Sequence, residues 1–160
     1  MYSIALLCDK QDSSFFELSL MLSKQLAGKA DFLCLTHIPK KDLDLDVAVF
    51  CNTPASLRPL KLRKNTVAVC DSEDKTAIDM LAKNKIPAIT AGMSGFDTVT
   101  LSSITEREVT VSLLRPVTTL SGTVTEPCDF TVALTKPYSC RTVLICCATL
   151  VLLNVFPKQV

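Results

Sequence analysis

The chain has 160 residues, 48% of them hydrophobic and 21% charged, with a formal net charge of +1. That length is enough for one domain with its own core, without disulfide or metal staples. The balanced charge excludes the broad basic field by which proteins hold nucleic acid or an anionic membrane.

The first half alternates strand and helix signals, the pattern of a mostly parallel sheet flanked by helices. Residues 3–8 form a short apolar run, read as the first strand. Asp12, Ser13 and Ser14 offer helix caps, with Glu17 placed in the first turn. The helix that follows carries Phe15, Leu18, Leu22 and Leu26 at helical spacing and ends at Gly28. Strands are expected over 31–36, 46–51, 66–70 and 87–91. Between the last two runs the acidic turn Asp71-Ser72-Glu73-Asp74, then a helix with Ala77, Ile78, Leu81 and Ala82 on one face. The connections 39–44 and 53–65 carry prolines and charges and are poor helix candidates.

After Gly92 the period changes. Residues 98–104, 109–114 and 130–134 alternate polar and apolar side chains, and 119–125 holds Gly122 at an expected tight turn. Period-two alternation with short connections predicts a half-exposed antiparallel meander. The expected organisation is therefore an α/β part over 1–92, a meander over 93–135 and an apolar helix over 138–156. The core of that helix, VLICCATLVLLNVF, is shorter than the roughly 20 residues that span a bilayer, and Thr149 and Asn154 interrupt it. A helix apolar on every face is expected to be buried in the domain or at a subunit contact, with no membrane association.

Eight cysteines invite a disulfide reading, but Cys8, Cys34, Cys51 and Cys70 sit in or beside apolar runs, as small hydrophobes of buried strands. No CxxC pair occurs and His37 is the lone histidine, so zinc and thioredoxin-like spacings are missing and no metal or other cofactor is implied. The N-terminus lacks a basic start and a long apolar stretch, which reads as no secretory signal and a cytoplasmic location. Cys146 and Cys147, inside the apolar helix, are expected to be inert.

Two segments are candidate ligand sites. Asp71, Ser72 and Asp74 follow a buried strand and open a helix, the place where open α/β sheets bind ligands. The competing reading is that Ser72 or Asp71 caps the helix while Glu73 and Asp74 complement its dipole. In the loop after the fifth strand, Gly92 and Gly95 let backbone amides approach an anion, and Ser94 and Thr98 add hydroxyls. A plain reversal into the meander explains those glycines equally well, since no lysine follows them as in a nucleotide-binding loop. The first strand-to-helix turn, residues 8–14, has no glycine, and neither GxxxxGK[ST] nor GxGxxG fits anywhere. The basic stretch Arg58, Lys61, Arg63 and Lys64 is interleaved with leucines rather than stacking aromatics, and reads as a solvated face.

The order VAVCDSEDKTAIDMLAKN, IPAITAG, meander and FTVALTKPYSCRTVLICCATLVLLNVF, over residues 46–156, resembles the later half of the central ATP-binding domain of the Mur ligases and folylpolyglutamate synthases. On that likeness Asp71 and Asp74 keep the family's acidic turn. Lys136 stands at the family's glycine, Tyr138 and Ser139 at its His-Asn pair, and Thr142 at its following asparagine. The phosphate loop, a metal-binding glutamate and histidine, and the C-terminal ligase domain have no counterpart. The resemblance implies a trimmed relative with a Mur-ligase-like α/β fold, acting as a non-catalytic protein- or small-ligand-binding module near cell-wall metabolism. A protein partner or homo-oligomer is expected, and no nucleic acid. The alternatives are a nucleotide-binding or ligase-type component completed by a partner chain, and a nucleic-acid binder acting through Arg58 to Lys64.

Overall fold

Strand β1 (Tyr2–Cys8) is buried from Ile4 onward on both faces, and that explains its unbroken apolar run. In the computed structural model, which describes residues 1–9, 11–40 and 43–160, it lies inside a large mixed sheet. After helix α1 (Ser13–Gln25) the chain lays β2 (Ala30–Leu35) parallel to β1 on one side, then β3 (Val47–Cys51) parallel on the other. It continues outward through β4 (Val67–Asp71), helix α2 (Lys75–Asn84), β5 (Ala88–Gly92) and β6 (Val99–Ile104), all parallel. Antiparallel β7 (Glu108–Leu113) and β10 (Cys128–Ala133) extend the same sheet. Among the described residues the order is β10-β7-β6-β5-β4-β3-β1-β2, and the β8–β9 ribbon (Val117–Thr118, Val124–Thr125) stands outside it. The direction of strand addition reverses between β1 and β3, which makes that gap the topological switch point.

Alternation sorts the strand residues onto two faces. Ile4, Leu6, Val47, Val49 and Val69 join the core beneath α1 and α3 (Cys140–Leu152), whereas Ala5, Leu7, Ala48, Phe50 and Ala68 join the core beneath α2. Helix α3 is buried at every residue from Thr142 to Leu152, because sheet, α1 and ribbon enclose it. Each of its large aliphatic side chains contributes about 1.5–3 kcal/mol on burial. Its Thr149 Oγ1 donates to Ile145 O at 2.8 Å, which settles the one hydroxyl in the middle of that run. The helix is shorter than the 138–156 expected: Asn154 turns the chain at φ 58, in the left-handed region that asparagine tolerates. Among the described residues, no helix is long and apolar enough to cross a membrane.

Several local expectations change. Cys34 is exposed, because β2 is an edge strand with one neighbour. Helix α1 starts at Ser13 under an Asp12 cap, so Glu17 falls beyond the first turn. In α2 the buried residues are Ala77, Met80 and Leu81, while Ile78 and Ala82 face solvent, since the Asp74 cap sets the helical phase. Gly122 does sit in a turn, at φ 85, but it joins the two short strands of the separate ribbon rather than the sheet.

Candidate functional site

The parallel strands β1, β3, β4 and β5 deliver their last residues to one edge, where α1, α2 and α3 also begin. Asp71, at the end of β4, is 5% exposed. Its Oδ1 accepts from the Glu73 amide at 2.7 Å, and its Oδ2 is ion-paired with Arg141 Nε. Arg141 Nη2 also reaches Glu73 Oε2 at 3.3 Å. The guanidinium, in the first turn of α3, thus closes the acidic turn from above.

Asp74 caps α2, in place of the Ser72 or Asp71 expected in that role. Its Oδ1 accepts from Ala77 N at 3.0 Å, and its Oδ2 accepts from Thr53 N at 2.8 Å, tying the chain after β3 to the helix. Ser72 points toward Gly92. A Cβ built on Gly92 would stand 2.6 Å from Ser72 Oγ and 2.5 Å from Asp97 Oδ2, so only glycine fits there. Gly95 has nothing within 4 Å of an added Cβ, so the two glycines serve different ends.

Asp97 organises the loop from Gly92 to Thr98. It is 1% exposed and accepts from Ser94 N at 3.0 Å, and its own amide donates to Ser94 O at 3.0 Å. Ser94 Oγ accepts from Phe96 N at 3.1 Å, and Thr98 N donates to Thr90 O at 3.0 Å. Arg115 braces the outside, with Nη1 on Phe96 O at 2.8 Å and on Asp97 O at 2.6 Å. The amides of Ser94, Phe96 and Asp97 are therefore spent on the loop itself, and that of Thr98 on Thr90 of β5. Two apolar side chains project from it: Met93 is 69% and Phe96 89% exposed.

Acidic turn and loop together border a pocket of about 160 Å³, with Asp71, Glu73 and Arg141 on one wall and Gly92 and Met93 on the other. Pockets that hold drug-sized ligands run from about 300 to 1,000 Å³. This one fits a small group or the tip of a side chain.

At the switch point Asp12 caps α1 through Ser14 N at 2.9 Å and accepts from Asn52 Nδ2 at 3.0 Å. Burial pushes the Asp12 carboxyl up, but the hydrogen bonds from Ser14 and Asn52 and the nearby Arg141 outweigh it and hold its pKa below the ordinary value. Lys10, in the same glycine-free turn, lies outside the described residues. Cys8 and Cys51 lie side by side just beneath.

The positions compared above with a ligase family have internal work. Ser139 caps α3 through Thr142 N at 3.1 Å, and the two hydroxyls are 2.6 Å apart. Lys136 Nζ lies 4.9 Å over the Tyr138 ring. Arg58, Lys61, Arg63 and Lys64 are exposed while Leu57 and Leu60 are buried, and Arg63 pairs with Asp44 at 3.0 Å. Among the described residues, no cluster of three or more His, Cys, Asp or Glu is placed to hold a metal ion.

Sequence reasoning missed Arg141, Asp97, Arg115 and the Cys8–Cys51 pair. Arg141 had a signal, as a lone charge opening an otherwise apolar helix. No protein-family model matches the chain, and no curated protein matches it either.

Proposed function

We propose that this chain is a non-catalytic binding module that grips a protein partner at the carboxyl-end rim of its sheet. The observation that carries this reading is the braced loop. Met93 and Phe96 are held out into solvent by a turn whose backbone is fixed from inside by Asp97 and from outside by Arg115. Exposed large apolar side chains on a braced backbone make good interface anchors, because little backbone freedom is lost when a partner covers them. The polar groups below them support the same reading, since Asp71, Asp74, Ser94 and Thr98 are all engaged within the chain. The order of β4, acidic turn, α2, glycine-ended β5, antiparallel strands and α3 supports descent from a Mur-ligase-like domain, and with it a role near cell-wall metabolism. The buried thiols of Cys70, Cys146 and Cys147, packed as small apolar side chains, support a cytoplasmic location.

A photoreactive benzophenone side chain at position 96 tests this in the cells that make the protein. A discrete cross-linked adduct from position 96, and none from the exposed control position Val124, is the expected result. Equal or diffuse labelling from both would count against it.

One observation favours a second reading. The Arg141 guanidinium, a group suited to phosphate, overhangs the pocket at the ends of β4 and β5, on the carboxyl edge where open α/β sheets bind ligands. Calorimetric titration with ATP, ADP and UDP-sugars, with and without magnesium, separates the two. The binding-module reading expects no heat at micromolar ligand. Micromolar binding abolished by Asp71→Ala and Asp74→Ala would establish the nucleotide-binding reading in its place.

A further inference from the structure

Cys8 and Cys51 are the last residues of β1 and β3 and face each other directly in the parallel register, on opposite sides of the switch point. Both side chains fall on the α1/α3 face of the sheet. Neighbouring strands lie about 4.8 Å apart, inside the roughly 4.4–6.8 Å Cα separation that a disulfide bridges. The other cysteines are placed differently. Cys34 pairs with Leu6 rather than Cys8, Cys128 lies on the far edge strand, and Cys146 and Cys147 are successive residues of one helix.

The two thiols are also unequal. The Cys8 thiol hydrogen-bonds to the Cys51 sulfur, which lowers the pKa of Cys51 and, with burial, raises that of Cys8. Both residues are buried, at 1% and 0% exposure, one step along each strand from the exposed Asp9 and Asn52. Beyond them, a hydrogen bond from Asn52 Nδ2 to Asp12 Oδ2 at 3.0 Å links the end of β3 to the start of α1.

We propose that Cys8 and Cys51 form a redox-active dithiol, which hydrogen peroxide converts to a cross-strand disulfide at the switch point. The Cys51 thiolate attacks one peroxide oxygen. An S–O bond forms, the O–O bond breaks, and the departing hydroxide is protonated to water. The Cys8 sulfur then attacks Cys51, forming the S–S bond as the S–O bond breaks. The Cys8 proton leaves with that hydroxide as a second water. Two thiols lose two electrons in all, and one hydrogen peroxide is reduced to two waters. The product ties β1 to β3 beneath the Asp12–Asn52 bond and fixes the crevice between them.

The test uses the full chain, folded, with hydrogen peroxide in small molar excess, followed by intact-mass measurement and a non-reducing peptide map. The expected result is the loss of two hydrogen atoms, a Cys8–Cys51 linked peptide, and recovery of both thiols with dithiothreitol. In Cys8→Ser the chain is expected to stop at a sulfenic acid on Cys51, trapped by dimedone, with no adduct at position 8. Asn52→Gly removes the hydrogen bond to Asp12 while tolerating the positive φ at that site, and is expected to speed cross-linking several-fold. The proposal is overturned if exposed Cys34 and Cys128 oxidise while Cys8 and Cys51 stay reduced in the folded chain, or if the linked peptide forms only in denaturant. The wild-type map decides the matter even if a serine variant fails to fold.

Discussion

Replacing Gly92 by alanine tests whether the two candidate segments are one packed unit. The new Cβ would meet Asp97 Oδ2 at 2.5 Å, Ser72 Oγ at 2.6 Å and Asp97 Cγ at 3.0 Å. Ser72 is exposed and can rotate away at little cost. Asp97 cannot, because it is buried and its carboxylate holds Ser94 N at 3.0 Å. Moving it strains a tight site and weakens a charge-assisted hydrogen bond, each worth about 1–3 kcal/mol. Alanine returns about 0.4–1 kcal/mol by stiffening the unfolded chain, since Gly92 has no positive φ to defend. The net expectation is a loss of about 1–5 kcal/mol, or a Tm lower by about 2–20 °C for a chain of this size. Urea denaturation followed by circular dichroism measures it, alone and in an Asp97→Ala background. With the carboxylate gone, the added methyl group is expected to cost less than about 0.5 kcal/mol, so the double-variant cycle shows clear coupling. Gly95→Ala, with open space around it, is expected to stay within about 0.5 kcal/mol of wild type. Equal costs at positions 92 and 95, or no relief from Asp97→Ala, would refute the close-approach argument.

Arg141→Ala strips the buried Asp71 carboxylate of its counter-charge. Breaking a fully buried pair costs about 3–5 kcal/mol, but Arg141 is 46% exposed, so about 1–2 kcal/mol is expected by urea denaturation, with partial recovery in the Asp71→Asn double variant. Asp74→Ala removes both the α2 cap and the tether to Thr53 N, and is expected to cost about 2–3 kcal/mol in the same assay. Asp12 has a folded pKa lowered from the model-compound value of 3.8. Its contribution is therefore present above the unfolded pKa and lost as pH falls through the lower folded one. The stability gap between wild type and Asp12→Asn, measured at stepped pH below 5, is expected to shrink steadily toward the acid end.

The parallel strands were legible because burial on both faces turns β1, β3 and β4 into unbroken apolar runs, a signal that needs no partner to be read. Edge strand β2 shows where that signal fails: Leu33 and Cys34 look as apolar as their neighbours, yet both are exposed. Helix α2 was found, but its buried face turned on Met80 rather than Ile78, since the phase depends on which of four consecutive turn residues caps it. The same ambiguity governed the site. Composition located the acidic turn and the glycine loop, but the roles of Asp71 and Asp74 depend on Arg141 and Thr53, which are distant along the chain. The Cys8–Cys51 pair depends on strand register, and an apolar pattern does not say which two strands will be neighbours.

The electrostatics of the carboxyl end explain why an acidic turn placed like a ligand site is consumed within the fold. Helix α3 begins with a neutral cap, Ser139, and carries Arg141 in its first turn, where a cation meets the positive end of the helix dipole. Two like potentials at one spot favour an anion close by. The turn after β4 supplies it: Asp71 on Nε and Glu73 on Nη2. Helices α1 and α2 solve the same problem with their own carboxylates, Asp12 and Asp74. Every helix start at this edge therefore brings or borrows a negative group from the chain, and an anionic ligand would have to displace one of them. An outside group finds less competition at Met93 and Phe96, where the exposed surface is apolar and the backbone already fixed. That contrast favours an apolar protein contact over phosphate recognition at the rim.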